Sequence, residues 1–88
     1  MTERLVTVSN RAGIHARPAA ILVQACKDFK CSIHIERGSD KINAKSIMGI
    51  LTLAAGYKTE LRITAEGEDE ELAVETVTNL FLTKFEEE

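Results

Sequence analysis

Eighty-eight residues, 44% of them hydrophobic, suffice for one modest core, so residues 1–88 are expected to form a single domain burying roughly 60 to 65% of its unfolded surface. A net charge of −3, with three Phe, one Tyr and no Trp, argues against a nucleic-acid partner, although the basic residues gather in the first half and the acidic ones in the second. The longest mainly apolar run, Ile47 to Ala55, falls far short of the about 20 residues a bilayer requires, and the Met-Thr-Glu-Arg start has no apolar secretory segment behind it. A cytoplasmic chain without membrane insertion is expected.

In chain order, Arg4 to Val8 is a β-branched run ended by Ser9, Asn10 and Gly13, which predicts a first strand leading into a loop. A helix follows. Pro18 suits its first position, because the missing N–H is one a helix cannot use there, and Ala19, Leu22, Cys26 and Phe29 recur at helical spacing, with an end near Asp28. Ile33 and Ile35 alternate with Ser32, His34 and Glu36, and Arg37-Gly38-Ser39-Asp40 supplies a turn into Lys41 to Ala44, which predicts a hairpin. Ser46 then stands where the N-cap of a short helix belongs. After the Gly56 break, Leu61 and Ile63 alternate with Glu60, Arg62 and Thr64 as a fourth strand. Asp69 is placed to cap a last helix, with Glu70 and Glu71 in its first turn and Ala73, Val77, Leu80, Phe81 and Lys84 following; its terminal Glu86-Glu87-Glu88 opposes the helix dipole and is expected to fray. The order is β-α-β-β-α-β-α. Each strand offers one clean apolar face, so the economical solution is an α+β fold, a four-stranded sheet with three helices on one face.

Cys26 and Cys31 lack the CxxC spacing and have no His or Cys partners set out for a metal tetrahedron, so both read as free thiols serving as small core hydrophobes. No metal or cofactor is expected. His34 alternates with Ile33 and Ile35 on the outer side of a strand and is given no function.

The chemistry concentrates at "GIHARPAA", residues 13 to 20. The first N–H groups of a helix have no internal partner, and with the macrodipole they favour negative charge and disfavour imidazolium. His15 at that entrance is placed to present a neutral, nucleophilic ring, and an anion attached to it faces the backbone N–H groups of Ala16 and Arg17. The Arg17 guanidinium can grip phosphate oxygens in a bidentate manner. The dipole and charged hydrogen bonds are expected to stabilise a phosphoryl group by about 2 to 4 kcal/mol, which orients it without trapping it. No acidic residue nearby completes a hydrolytic triad, and no GxxxxGK[ST] nucleotide loop is present. The site can receive a group and has no visible means of consuming it.

"GIHARPAA" together with "NAKSIMGIL" at 43 to 51 resembles the HPr family, the histidine-containing phosphocarriers of the bacterial phosphotransferase system, and the likeness spans nearly the whole chain. The resemblance implies an open-faced β-sandwich with an antiparallel sheet, in agreement with the element order. It implies a carrier rather than an enzyme. By that resemblance His15 accepts a phosphoryl group from Enzyme I, which draws it from phosphoenolpyruvate, and passes it to a sugar-specific Enzyme IIA. The ring nitrogen nearer the backbone carries the phosphate and Arg17 helps to hold it. Two departures stand out. Ala12 replaces the polar residue that many members carry before the glycine, leaving backbone N–H groups to suffice, and Leu53-Ala54-Ala55-Gly56 lacks the glycine that many place directly after the leucine.

Ser46 resembles the serine that an ATP-dependent HPr kinase/phosphorylase modifies in many bacteria. Such a modification adds about −1.5 to −2 charges at a helix start, where no refolding is needed, so its effect falls on docking. Ile47, Met48, Ile50, Leu51 and Leu53 point around more of a short helix than one buried face covers. Ile47, Met48 and Leu51, with Ala20 and Lys45, are expected to form an exposed docking patch for partners beside the His15 end. The chain is expected to act as a monomer. The alternative reading is a regulatory binding module whose His15 or Ser46 phosphorylation state controls a transcription factor or metabolic enzyme without sugar transport.

Overall fold

The computed structural model describes residues 1–86. Strands β1 (Thr2–Thr7), β2 (Ser32–Arg37), β3 (Asp40–Asn43) and β4 (Glu60–Glu66) form one antiparallel sheet in the order β1-β4-β2-β3. Helices α1 (Ala16–Lys27), α2 (Ile47–Thr52) and α3 (Glu70–Leu82) cover one face and leave the other open. The fold is the expected open-faced β-sandwich. Alternation decides which face is covered: Val6 lies opposite Leu61 and Ile63 opposite Ile35, all buried, whereas Glu3, Arg62, Glu36 and Lys41 point to the open side. The α1 crossover carries the chain from β1 to β2 past a vacant position, which β4 later fills between them.

Three local expectations are corrected. α1 begins at Ala16 with His15 as its N-cap, so Pro18 is the third helical residue, not the first. Any first-turn position tolerates its missing N–H, because the first helical bond runs from the Ala19 N–H to the His15 carbonyl at 3.0 Å. Asp69 is the N-cap residue of α3, but its side chain does not cap that helix. Its two oxygens accept the N–H groups of Lys30 at 2.9 Å and Cys31 at 3.0 Å, tying the α1–β2 connection to the start of α3. Lys84 lies beyond α3, in a 3-10 turn (Lys84–Glu86). There Phe85, at φ +53, returns to the core and packs edge-on against Phe81 with ring centroids 4.9 Å apart. The expectation of fraying falls, for Glu87 and Glu88, outside the described residues.

The start of α3 is also where the N-terminus is fastened. The Glu70 carboxylate accepts the Thr2 hydroxyl at 2.6 Å and the Gly67 N–H at 3.1 Å, and it lies 3.1 Å from the terminal ammonium. These donors favour the charged form and hold its carboxyl down at about 2, against an ordinary value of 4.5. A lowered folded-state value means that the contribution is complete above 4.5 and is lost as pH falls toward about 2. Glu70→Gln is therefore less stable than the parent at neutral pH, and the two converge over that acid window. Urea unfolding at pH 7, 4 and 2 checks this, and a gap that stays constant removes the network's role.

Cys26 and Cys31 are both free and buried. Loss of solvation pushes the Cys26 thiol up to about 12; it pushes Cys31 up to about 11, with the Asp69 carboxylate adding to the rise. Neither thiol is a ready nucleophile.

Candidate functional site

The loop ahead of α1 is braced from both sides. Asn10 is buried, its amide donates to the Gly13 carbonyl at 2.6 Å, and the Gly13 N–H returns to the Asn10 carbonyl at 3.0 Å. Gly13 sits at φ +76 against the connection after α2, where a Cβ would lie 2.9 Å from both the Ala55 oxygen and the Gly56 Cα. Only glycine fits there. The N–H of buried Ile14 then donates to the Ala55 oxygen at 2.8 Å. The residue before His15 is thus pinned to the α2 exit, while His15 itself is exposed on extended backbone, φ −106 and ψ −163.

His15 occupies the N-cap position without capping α1 through its ring. The N–H groups of Ala16 and Arg17 have no hydrogen-bond partner among the described residues, and Pro18 has none to offer. Two backbone donors and a helix end therefore stand beside an exposed imidazole. Arg17 is exposed as well, with no ion pair or hydrogen bond from its guanidinium among the described residues. Ala12 is exposed and brings no polar side chain. Three or more His, Cys, Asp or Glu side chains do not cluster as metal ligands among the described residues, and no helix there is long and apolar enough to cross a membrane.

Ser46 caps α2 as the sequence predicts, its hydroxyl accepting the Gly49 N–H at 3.1 Å. Of the apolar residues that follow, Ile50 and Leu53 are buried at 2% and 5% exposure. Ile47, Met48 and Leu51 remain at 40%, 71% and 37%, and Ala20 on α1 is also exposed. Lys45, just before α2, sends its ammonium to the Phe29 carbonyl beyond the end of α1 at 2.7 Å, while Ala55, just after α2, bonds Ile14 ahead of α1. The two helices therefore run antiparallel. The start of α2 thus faces the exit of α1, and the end of α2 faces the loop that carries His15. Lys45 is half-buried and its ammonium holds the α1 exit.

A phosphoryl-sized anion on His15 would meet the backbone donors at the start of α1. The family model for the PTS HPr component phosphorylation site matches residues 2–83. The chain belongs to the HPr family. It is 49% identical to the phosphocarrier protein HPr of Treponema pallidum, over the full length of both chains. The fold superposes on a crystal structure of HPr from Thermoanaerobacter tengcongensis with a TM-score of 0.96 at 42% identity, covering 100% of this chain and 99% of that one. It is also similar to Bacillus subtilis Crh, described as a catabolite repression protein forming a swapped dimer, with a TM-score of 0.77 at 38% identity over 96% and 97% of the two chains. As a member of the HPr family the chain is a phosphocarrier and not an enzyme.

Sequence reasoning missed two side chains, one that braces the loop ahead of His15 and one that bonds the exit of α2. Asn10 carries a faint signal, an amide three residues ahead of a loop glycine. Arg37, whose guanidinium reaches the end of α2, carries none.

Proposed function

We propose that the chain, acting as a cytoplasmic monomer and a single HPr-like domain over residues 1–88, carries a phosphoryl group on His15. The donor is phosphoenolpyruvate-charged Enzyme I and the acceptors are Enzyme IIA components of sugar uptake. The observation that carries this reading is the exposed imidazole at the N-cap of α1 beside the N–H groups of Ala16 and Arg17, which have no partner among the described residues. The ring nitrogen nearer the backbone, Nδ1, attacks the donor's phosphorus through its lone pair while the ring proton sits on Nε2. The new N–P bond forms as the donor's bond to phosphorus breaks, and the donor leaves with that electron pair. The phosphoryl oxygens then face the two backbone donors and the Arg17 guanidinium, and the reverse displacement delivers the group to Enzyme IIA. Holding worth about 2 to 4 kcal/mol suits a carrier, because deeper binding would slow the second transfer.

Ser46 is read as the regulatory site of an HPr kinase/phosphorylase. Phosphate there adds about −1.5 to −2 charges at the start of α2, tolerated by the helix end, next to Ile47 and Met48. Acidic rims of partners approaching the patch are then repelled. Met48→Asp imitates this locally. It is expected to weaken Enzyme I binding about tenfold or more while changing stability by no more than about 0.5 kcal/mol, since the side chain is 71% exposed. Calorimetric titration beside a urea melt measures both, and unaltered affinity shows that the patch is not the docking surface.

The deciding experiment incubates the protein with Enzyme I and phosphoenolpyruvate. Acid-labile, alkali-stable phosphate that disappears in His15→Ala supports the carrier. ATP-dependent, acid-stable phosphate that disappears in Ser46→Ala supports the regulatory role. A second reading, a regulatory module acting without sugar transport, is favoured by the similarity to Crh. It prevails if only the Ser46 phosphate forms. Sedimentation of the phosphorylated and unphosphorylated chain tests the monomer.

A further inference from the structure

We propose that Arg37 is a positioning residue for the phosphoryl-acceptor loop, acting through the exit of α2. At the end of β2, its Nη1 donates to the Leu53 carbonyl at 2.8 Å and to the Ala54 carbonyl at 3.0 Å. These carbonyls close a helix whose last turn has no internal donors for them, and a cation at that end also meets the negative pole of the dipole. Between them the chain takes a left-handed step: Ala54 stands at φ +52, a conformation that glycine adopts freely and alanine does not.

The shape of this exit decides where the next carbonyl points. Ala55 turns its oxygen to the Ile14 N–H at 2.8 Å, and Ala55 and Gly56 form the wall against which Gly13 is packed. A contiguous route therefore runs from the Arg37 guanidinium through the final carbonyls of α2 and the Ala55 oxygen to Ile14, and by one peptide bond to His15. If Ala54 relaxed to negative φ, the Ala55 oxygen would swing away from Ile14 and the start of α1 would lose its anchor. Arg37 opposes that relaxation by fixing the two carbonyls on either side of the strained residue to one guanidinium nitrogen, Nη1.

The effect on transfer rests on the reading of His15 as phosphoryl acceptor; the effect on the loop does not, so the experiment reads both. Native-state amide hydrogen exchange and Enzyme I kinetics are measured on the full chain, on Arg37→Ala, and on the double variant Arg37→Ala with Ala54→Gly. In Arg37→Ala the Ile14 N–H is expected to exchange about tenfold faster, while the Ile63 N–H in the buried centre of β4 keeps its rate. The kcat for phosphorylation is expected to fall about fivefold with KM unchanged, the mark of a displaced acceptor rather than a damaged docking face. In the double variant, where glycine holds the left-handed exit unaided, both values return toward the parent. Unchanged Ile14 exchange or unchanged kcat in Arg37→Ala, or a double variant no better than the single one, overturns the proposal. If the parent itself takes no phosphate from Enzyme I, the carrier reading fails, and Ile14 exchange still decides whether Arg37 holds the loop.

Discussion

Replacing Arg17 by alanine is expected to slow phosphoryl transfer both onto and off His15 about tenfold and to leave the stability of the fold within about 0.5 kcal/mol of the parent. The two halves of this expectation have different origins. Stability is spared because the side chain is exposed and makes no hydrogen bond or ion pair among the described residues, so its truncation strands no buried group. On the proposed reading transfer slows in both directions because the guanidinium meets the phosphoryl oxygens in the transition state itself, a charge that the surviving Ala16 and Arg17 amides do not replace. A charged hydrogen bond contributes about 1.5 to 3 kcal/mol, and exposure to water puts this one near the lower end, which converts to about tenfold in rate. Arg17→Lys keeps the charge and loses the two-pronged grip, so it should recover only part of the rate. Stopped-flow or quench measurements with Enzyme I as donor, and with an Enzyme IIA as acceptor, give both directions. Rates equal to the parent in both would leave the backbone amides as the whole of the site.

That the Arg17 amide can be placed beside the acceptor from sequence alone reflects what kind of information a sequence carries. Alternation at Ile33 and Ile35 or Leu61 and Ile63, and helical spacing at Ala19, Leu22 and Cys26, are properties of one element at a time, and each is legible. The same patterns say which face of a strand is buried but not which strand lies beside it, so the order β1-β4-β2-β3 is not legible. Pro18 marks a helical first turn without marking its first residue, because the cost it avoids is the same at each of those positions. Asp69 is a good cap chemically, yet carboxylate oxygens take the nearest N–H groups, and folding brings those of Lys30 and Cys31. Lys45 reads in sequence as a surface charge for a partner's acidic rim, and its target is a carbonyl at the end of α1. The antiparallel run of α1 and α2 follows from contacts at both ends of the pair and from no local pattern. The missing glycine after Leu53 is visible as a departure; the arginine sixteen residues upstream that holds the exit is not.

Gly13→Ala is expected to destabilise the protein by about 2 to 5 kcal/mol, the sum of two costs at one atom. The first is torsional: φ is +76, in the left-handed region, which costs an alanine about 1 to 2 kcal/mol. The second is steric. The added Cβ would fall 2.9 Å from the Ala55 oxygen and the Gly56 Cα, both backbone atoms that cannot rotate away as a side chain could, and such overpacking costs about 1 to 3 kcal/mol. In a domain of this size each kcal/mol lowers the melting temperature by about 4 to 8 °C, so a fall of about 10 °C or more is expected. Relief of the overlap must separate Gly13 from the α2 exit, which lengthens the Ile14 to Ala55 bond and moves His15, so the molecules that remain folded should also transfer phosphate more slowly. Gly38 supplies the control. It has φ +60, and a Cβ added there would meet nothing within 4 Å, so Gly38→Ala carries the torsional cost alone. Urea unfolding of both variants separates the two costs: a larger loss for Gly13→Ala measures the contact between the acceptor loop and the α2 exit. Equal losses would mean that Gly13 is required for its backbone angle only and that its close approach to Ala55 contributes nothing.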